Sequence, residues 1–533
     1  MPGMPHRRRL LLLALALVLW GPVLGIVGTA LYLRSPLYRW HCAAVLTRHL
    51  GLPSEIGRVV PLSRRAREFR DVRIWLPERR DDAAFCARAV ARLNPTSADP
   101  QAWELELVGG RCEISTRTWL REDYRFVLES GLRPGFDPEG PRRVTFRGFD
   151  VLFERDRFAM RLGDAQGVVV FEDATSGRAV IDCRTFNGRA TVEPVTLSAR
   201  FSPHLGGVRL DSVALLVPRL PIGLVGWRDL TGVGLESGTF EGQLAYAESE
   251  GGRTLTVRGR VQGVPLAELT SGLWPQPWHG EGELELEELT LRDERLECVR
   301  LHGVLAGLLL GDVLAPLGGG EAGGTVTLRV TSAEISRRGV ERFVASGRCD
   351  DVSLAGLTRG LRRGTMTGRG RVVIQDLKIR DNRLESLDAE LVVEPAQEGR
   401  PNWIDRALLA ELLERVLGVR LPAFVPLPER LEYSALGARL EVRDEVLYVF
   451  GSHGPRRKTI LTVRIADTDV PLVFEPEDPI PLAPWLAALR ARAAEELRAR
   501  LAALPPTDPV RRLWEGRPAD GTAAPETGHA PLR

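Results

Sequence analysis

The chain has 533 residues, beyond the size at which one compact core keeps growing, so several domains or a repeating body are expected. With 44% hydrophobic and 27% charged residues the composition is that of a folded protein, and a formal net charge of +2 gives no electrostatic pull toward nucleic acid. Lys occurs only at 378 and 458, so Arg fills the roles that Lys usually shares, and clusters such as Arg7 to Arg9 or Arg456-Arg457 carry less weight as phosphate sites.

The first element is apolar. After Arg7 to Arg9, residues 10–33 read LLLLALALVLWGPVLGIVGTALYL, 24 positions without a formal charge. As a helix such a run covers a hydrocarbon core of about 30 Å. Pro22 within it is tolerated because a membrane helix can kink around proline. A cleavable signal peptide, with Gly28 and Ala30 as small residues before the cut, is the competing reading; the length of the run, which continues to Leu33, favours an uncleaved transmembrane anchor. The arginines ahead of it place residues 1–9 in the cytoplasm and the chain after residue 34 beyond the inner membrane. The next most apolar stretch, 304–320, is broken by Asp312 and Pro316, so a single-pass protein with a large body is expected.

Helical spacing follows at 37–51, closed by Gly51, then short strands at 56–62 and 69–78. From about 100 to 400 the dominant signal is period-two alternation, as in WELELV at 103–108, RVTFRGFDVLF at 143–153, GVVVFE at 167–172 and TLTVRGRV at 254–261. Such runs, bounded by Gly, Asp and Asn, predict antiparallel strands with one buried face, and residues 34–210 are expected to form a β-rich region with short helices.

Residues 211–400 carry an internal repeat. Offset by 88 residues, 259–297 aligns with 347–385 without a gap, with 17 identities in 39 positions. Each copy opens on V-x-L-x-x-L-T-x-G-L, a short helix with one apolar face, and passes through G-x-G into a strand. The strand turns Leu284 and Leu286, or Val372 and Ile374, to one side. The phase then slips by one residue, to Leu289 and Leu291, or Leu377 and Ile379, which predicts a β-bulge near 287–288 and 375–376. These eight side chains are the candidate lining of an apolar groove. A weaker copy of the opening lies at 220–244. The polar stretch IRDNRLE at 379–385 has relatives in LRDERLE at 291–297, VRDEVL at 442–447 and ERDRF at 154–158. A motif written four times reads as a hairpin turn, since Asp and Asn bond local backbone and tolerate positive φ.

Beyond 400 the pattern becomes helix-strand-helix, through residue 504. An amphipathic helix is predicted over 401–418 with Ile404, Leu408, Leu412 and Val416 on one stripe, then strands at 431–442 and 446–451, then a helix at 482–504. The Pro, Gly and Ala content of 505–533 describes a disordered tail.

The chain displays no P-loop, no H-E-x-x-H, no nucleophile elbow and no EF-hand loop. GGGEAGGT at 318–325 lacks the Lys of a phosphate loop and reads as a turn. His41 and His49 lack the carboxylates or thiolates of a metal site, and His279, His302 and His453 stand alone. Six cysteines at long intervals, with no C-x-x-C pair, are compatible with one or two disulfides or with isolated buried thiols. Glu283, Glu285 and Glu287 alternate with Leu and read as a solvated sheet face, which also disfavours a membrane β-barrel. The expectation is a protein that is not an enzyme, with no catalytic residue, metal or cofactor.

The anchor, the helix ending in HLGLPSEIGRVVPL, the strand FRDVRIWLPE and the repeated G-x-G strand units with R-D hairpins together resemble the AsmA-like family of bacterial envelope proteins, relatives of the TamB and YdbH types. The resemblance covers residues 10 to about 95 and about 210 to 450. It implies a mainly β protein with helices (α+β): an inner-membrane helix followed by an elongated, repeating antiparallel sheet or groove in the periplasm, associated with lipid traffic and outer-membrane assembly. Expected partners are the inner membrane through residues 10–33, a phospholipid or other acyl lipid, and envelope assembly proteins; the alternative is a structural or assembly factor acting through protein contacts.

Overall fold

The computed structural model describes residues 20, 25–50, 53–75, 82–93, 103–115, 140–155, 158–204, 207–225, 234–249, 252–271, 277–293, 295–315, 321–359, 364–395, 401–417, 427–465, 468–505, 508, 511 and 514–515. Most of the predicted anchor, the turn at 156–157 and nearly all of the predicted tail lie outside the described residues. Among the described residues no helix is long and apolar enough to cross a membrane. The protein is mainly β, its strands mostly antiparallel, and it divides into two compact units: residues 1–218 with 247–249, and residues 219–246 with 250–533.

The first unit opens with helix α1 (Pro36–Leu50), which packs on β1 (Ser54–Ser63). The strands β2 (Ala66–Trp75), β3 (Asp82–Leu93), β4 (Trp103–Ser115), β5 (Pro141–Arg155), β6 (Phe158–Phe171), β7 (Gly177–Phe186), β8 (Arg189–His204) and β9 (Gly207–Pro221) follow. Each pairs with its predecessor, antiparallel except for β4 and β5, which run parallel. A parallel pair needs a long connection, and the 116–139 segment between β4 and β5 lies outside the described residues. Strand β3 carries no clear strand signal in sequence: DAAFCARAVARL is rich in Ala, and its pairing to β2 and β4 decides its state. Glu68, on β2, is buried against the guanidinium groups of Arg70 at 2.5 Å and Arg88 at 2.9 Å, which hold its carboxyl below the usual carboxylate range.

The second unit is built from one supersecondary step. A short helix α2 (Ile222–Val225) leads through a loop to β10 (Thr239–Ser249) and β11 (Gly252–Pro265). Then come α3 (Leu266–Thr270), β12 (Glu281–Arg292), β13 (Arg295–Leu309), α4 (Leu310–Leu314), β14 (Thr325–Ser336), β15 (Gly339–Ser353), α5 (Leu354–Arg359), β16 (Arg369–Arg380) and β17 (Arg383–Val393). The four short helices begin at 222, 266, 310 and 354, so the structural period is 44 residues, half the period seen in sequence. Alternate copies share residues, I-G-x-V or L-G-x-V at 222 and 310 against L-A-x-L-T at 266 and 354, which is why only the doubled spacing stood out. The weak copy at 220–244 is thus one of the steps, and a further one opens at 310.

In every step the first helical residue donates its backbone N–H to the glycine that precedes the next strand: Ile222 to Gly238 at 3.0 Å, Leu266 to Gly280 at 2.9 Å, Leu310 to Gly324 at 3.0 Å and Leu354 to Gly368 at 3.1 Å. Those glycines hold φ between 91° and 133°, which L side chains rarely adopt. In GGGEAGGT, Gly324 has this role. The β-bulges are where the phase slip placed them, between Leu286 and Glu288 and between Ile374 and Asp376, with another between Val330 and Ser332.

The repeat ends at β17, which pairs with β19 (Arg430–Arg443). Strand β19 pairs along one half with β20 (Val446–Gly451) and along the other with β18 (Trp403–Asp405) and β21 (Thr459–Ile465); β22 (Thr468–Phe474) follows β21, and β23 (Ile480–Pro481) adds to β20. The helix predicted over 401–418 begins later, as α6 (Arg406–Leu417). Ile404 belongs to β18, whose backbone is tied to Thr365 and Thr367, so tertiary pairing overrides the helical spacing; Leu408, Leu409 and Leu413 of α6 are buried, and the side chains of Leu412 and Val416 lie outside the described ones. The last helix is α7 (Ala483–Ala503), close to its predicted span.

Candidate apolar ligand face

The hairpin turns set the sheet's register. Asp381 and Asn382 form the two-residue connection between β16 and β17 with φ of 48° and 60°, and Asp444 and Glu445 do the same between β19 and β20 with 49° and 63°. Asn382 also reaches the neighbouring hairpin, its Oδ1 accepting from Val340 N–H at 2.8 Å and its Nδ2 donating to the Arg338 carbonyl at 2.9 Å. Asp293 makes the same kind of bond, accepting from Arg253 N–H at 2.9 Å. IRDNRLE is therefore a turn that latches one hairpin to the next.

Between the turns at one edge and the short helices at the other, antiparallel partners put the candidate lining residues in cross-strand rows. One row runs Val261, Leu284, Gly303, Val330, Ala345, Leu377, Leu387 and Val442. The next runs Leu286, Leu301, Ala333, Phe343, Ile379 and Leu384. Leu284 thus shares a row with Leu377 and not with its repeat equivalent Val372, which aligns with Leu308 nearer the helices. The bulges and the twist of the strands shear the rows across the repeat. Leu289 and Leu291 lie nearer the turn edge, opposite Val299 and Leu296, and Ile374 lies opposite Ala389.

Burial is mixed along this face. Leu266, Leu308, Val326, Cys349 and Val352 form a closed core beneath the short helices, with Leu310, Val313, Leu357 and Val372 packed around it. Of the eight candidate residues, Leu286 and Leu291 are buried, whereas Leu284, Leu289, Val372, Ile374, Leu377 and Ile379 remain half-buried. Val299, Ile335, Val340, Phe343, Leu384 and Leu387 are half-buried as well. Val261, Val330, Ala345 and Val442 in the first row, Ala333 in the second and Leu296 at the turn edge are buried, so buried and half-buried side chains are interleaved across the face. Toward the chain's end the face closes: Leu354, Met366, Val393, Ile404, Leu408, Leu409, Leu413 and Tyr433 make a single buried cluster.

The other face is polar. Glu283, Glu285 and Glu287 are exposed there, with Arg260 at 3.6 Å from Glu285 and His302 at 3.1 Å from Glu287. Arg371 contacts Asp350 at 3.0 Å and Arg439 contacts Asp388 at 2.6 Å. Pairs this exposed add little stability; they identify the solvent side.

Acids tie successive steps together, each accepting from the segment that follows the previous short helix. Glu268 on α3 accepts from the N–H groups of Glu236 and Ser237 at 2.8 and 3.1 Å. Asp312 on α4, buried, accepts from His279 N–H at 2.9 Å and lies 2.8 Å from its Nδ1. Asp405, the last residue of β18, accepts from Thr365 N–H at 2.7 Å.

Among the described residues no group of His, Cys, Asp or Glu could hold a metal ion. All six cysteines are free thiols, and burial pushes Cys183 and Cys349 up to about 11, away from nucleophilic thiolate character. His279 and His302 stand beside carboxylates, and His453 lies 3.1 Å from Thr462 Oγ1.

Sequence reasoning missed the central rows contributed by β13, β14 and β15, including Val330, Phe343 and Ala345. The available signal was glycine at the 44-residue spacing, Gly259, Gly303 and Gly347, where a side chain would collide with a carbonyl oxygen of the adjacent strand. Compared with known protein families and with curated proteins, the chain matches neither a family model nor a curated sequence.

Proposed function

We propose that this is a membrane-anchored protein of the AsmA-like type, its body periplasmic, that binds or carries lipid acyl chains on the apolar face of β12 to β17 in cell-envelope biogenesis. The observation that supports the reading is the apolar face of cross-strand rows, capped at one edge by α3, α4 and α5, on which Leu284, Leu289, Ile374, Leu377 and Ile379 stay half-buried among buried neighbours. Shielding about ten methylenes on such a face is worth about 8 kcal/mol, enough to hold a lipid against return to water. The anchor expected at 10–33 would hold the chain at a bilayer, a source of lipid. The test is to purify the chain in mild detergent and examine it by mass spectrometry. Co-purified phospholipid is expected. A lipid-free protein whose Leu284, Ile374 and Leu377 are shielded from a hydrophobic crosslinker would overturn the reading.

A second reading is favoured by the closure at the chain's end, where α6 buries Leu408, Leu409 and Leu413 against β19 and β21 residues. Extended over the whole face, that pattern describes an assembly factor working through its polar surface. Capture of a defined envelope protein that is abolished by polar-face changes, and unaffected by obstruction of the apolar face, would favour it.

A further inference from the structure

Helix α1 has two unlike faces, and the packed one is not the more apolar. On the inner side Arg39 Nη1 donates to the Gly57 carbonyl at 3.1 Å, Thr47 Oγ1 accepts from Ser54 N–H at 3.1 Å, and the Arg67 guanidinium lies 5.8 Å from the Tyr38 ring. Tyr38, Cys42, Ala43, Leu46 and Thr47 are half-buried there. The outer side presents Leu37, Trp40, His41, Ala44, Val45 and Arg48, with Leu37 and Trp40 each 67% exposed. An exposed Trp and Leu one turn apart, with Val45 beyond, need a partner.

The sequence and structure around the helix specify what that partner is. Residues 25–34 are helical too, with Ile26, Val27, Leu31 and Tyr32 exposed, so the apolar surface continues upstream. The two helical stretches meet at Ser35, whose Oγ accepts from Tyr38 N–H at 3.3 Å as an N-cap, with Pro36 at the first helical position. Tyr32 and Tyr38 stack edge to face at 5.4 Å across this joint, next to Trp40, the aromatic composition of a membrane–water boundary. Arg34 and Arg48 are exposed on this stretch, and residues 1–54 contain not one Asp or Glu. Each cation near an anionic lipid surface contributes about 1 kcal/mol, and a protein partner of mixed charge would gain nothing comparable.

We infer that α1 is an interfacial helix: its Leu37–Trp40–Val45 face lies among the headgroups of an anionic bilayer while its opposite face carries β1. The inference deepens the anchored reading but does not require residues 10–33 to span, because surface contact by α1 is a separate property.

The test uses the full chain reconstituted into phosphatidylcholine vesicles with or without phosphatidylglycerol. An environment-sensitive fluorophore is placed on His41→Cys, or for reference on the exposed Val192→Cys, after Cys42, Cys112 and Cys298 are changed to Ser. With phosphatidylglycerol present, a headgroup-depth nitroxide lipid should quench the label at 41 at least about two-fold more than the label at 192, and L37E/W40E should remove the difference. Equal access of the two labels to aqueous iodide, in protein that resists carbonate extraction, overturns the inference and leaves the anchor standing. Strong quenching at 41 in protein that carbonate removes supports the inference and sinks the anchor. Quenching indifferent to phosphatidylglycerol overturns the anionic surface as partner.

Discussion

Asn382 illustrates how a polar cluster in sequence becomes a structural joint. Its amide completes two hydrogen bonds to the neighbouring hairpin while its backbone holds φ of 60°, so Asn382→Ala removes both bonds and strains the turn. The expected cost is about 1 to 2 kcal/mol in chemical denaturation, with Asn382→Gly recovering the backbone part only. Asp381→Ala should likewise weaken the fold without specifically removing lipid; an unchanged stability with lost lipid would identify a site in place of a turn. Burial lowers the pKa of the His453 imidazole, which lies against Ser452 and Thr462. Below its ordinary value of about 6.5 the unfolded chain therefore binds more protons than the folded one, so this residue's contribution is full above that pH and falls as the solution is acidified toward the lowered folded value. His453→Gln should flatten the difference in melting temperature between pH 7.5 and pH 5, on the order of one or two degrees.

At the scale of elements, the 44-residue step is a hairpin plus a short helix, repeated because neither part buries its apolar side alone. Its weak points are shared by every copy. Gly303 allows β13 to approach β12 so closely that a Cβ would strike the Glu283 carbonyl oxygen, and Gly303→Ala should cost about 3 kcal/mol with loss of hydrogen-exchange protection along both strands. Asp312 ties α4 to the segment at His279, so Asp312→Ala removes both bonds at a cost of about 1 to 2 kcal/mol. Proteolysis should then begin between β11 and β12, and unaltered cleavage there would show that the acid is dispensable. Elements with strong alternation, such as β12, β16 and β19, were legible from sequence, as were both bulges near 287 and 375, because one face is wet and the other apolar. Strand β3 and the three-residue β18 were not, since an Ala-rich run and a short tract ahead of a helix take their conformation from partners far along the chain.

For the molecule as a whole, the question is whether the apolar face of the second unit holds a ligand or only its own core. Leu377 and Ala345 stand side by side in the middle of the face, one half-buried and the other buried. Introducing a carboxylate by Leu377→Glu should lower recovered lipid about ten-fold while the melting temperature falls little, because the side chain is not enclosed. A large loss of stability with unchanged lipid would mean that this position is closed core and that any lipid sits elsewhere.

The sequence by itself determined the local matters: which residues alternate, where the phase slips, where Asp and Asn reverse the chain, and that residues 259–297 recur at 347–385. These are legible because strand periodicity and turn chemistry are properties of neighbouring residues. Only the tertiary structure decided that the step is 44 residues, since its two alternating versions share geometry more than side chains. Tertiary pairing also decided that Leu284 stands in line with Leu377 rather than with Val372, and that short helices cover one edge of the apolar face. Register shear and coverage are sums over strands distant in sequence, and no single stretch of the chain encodes them.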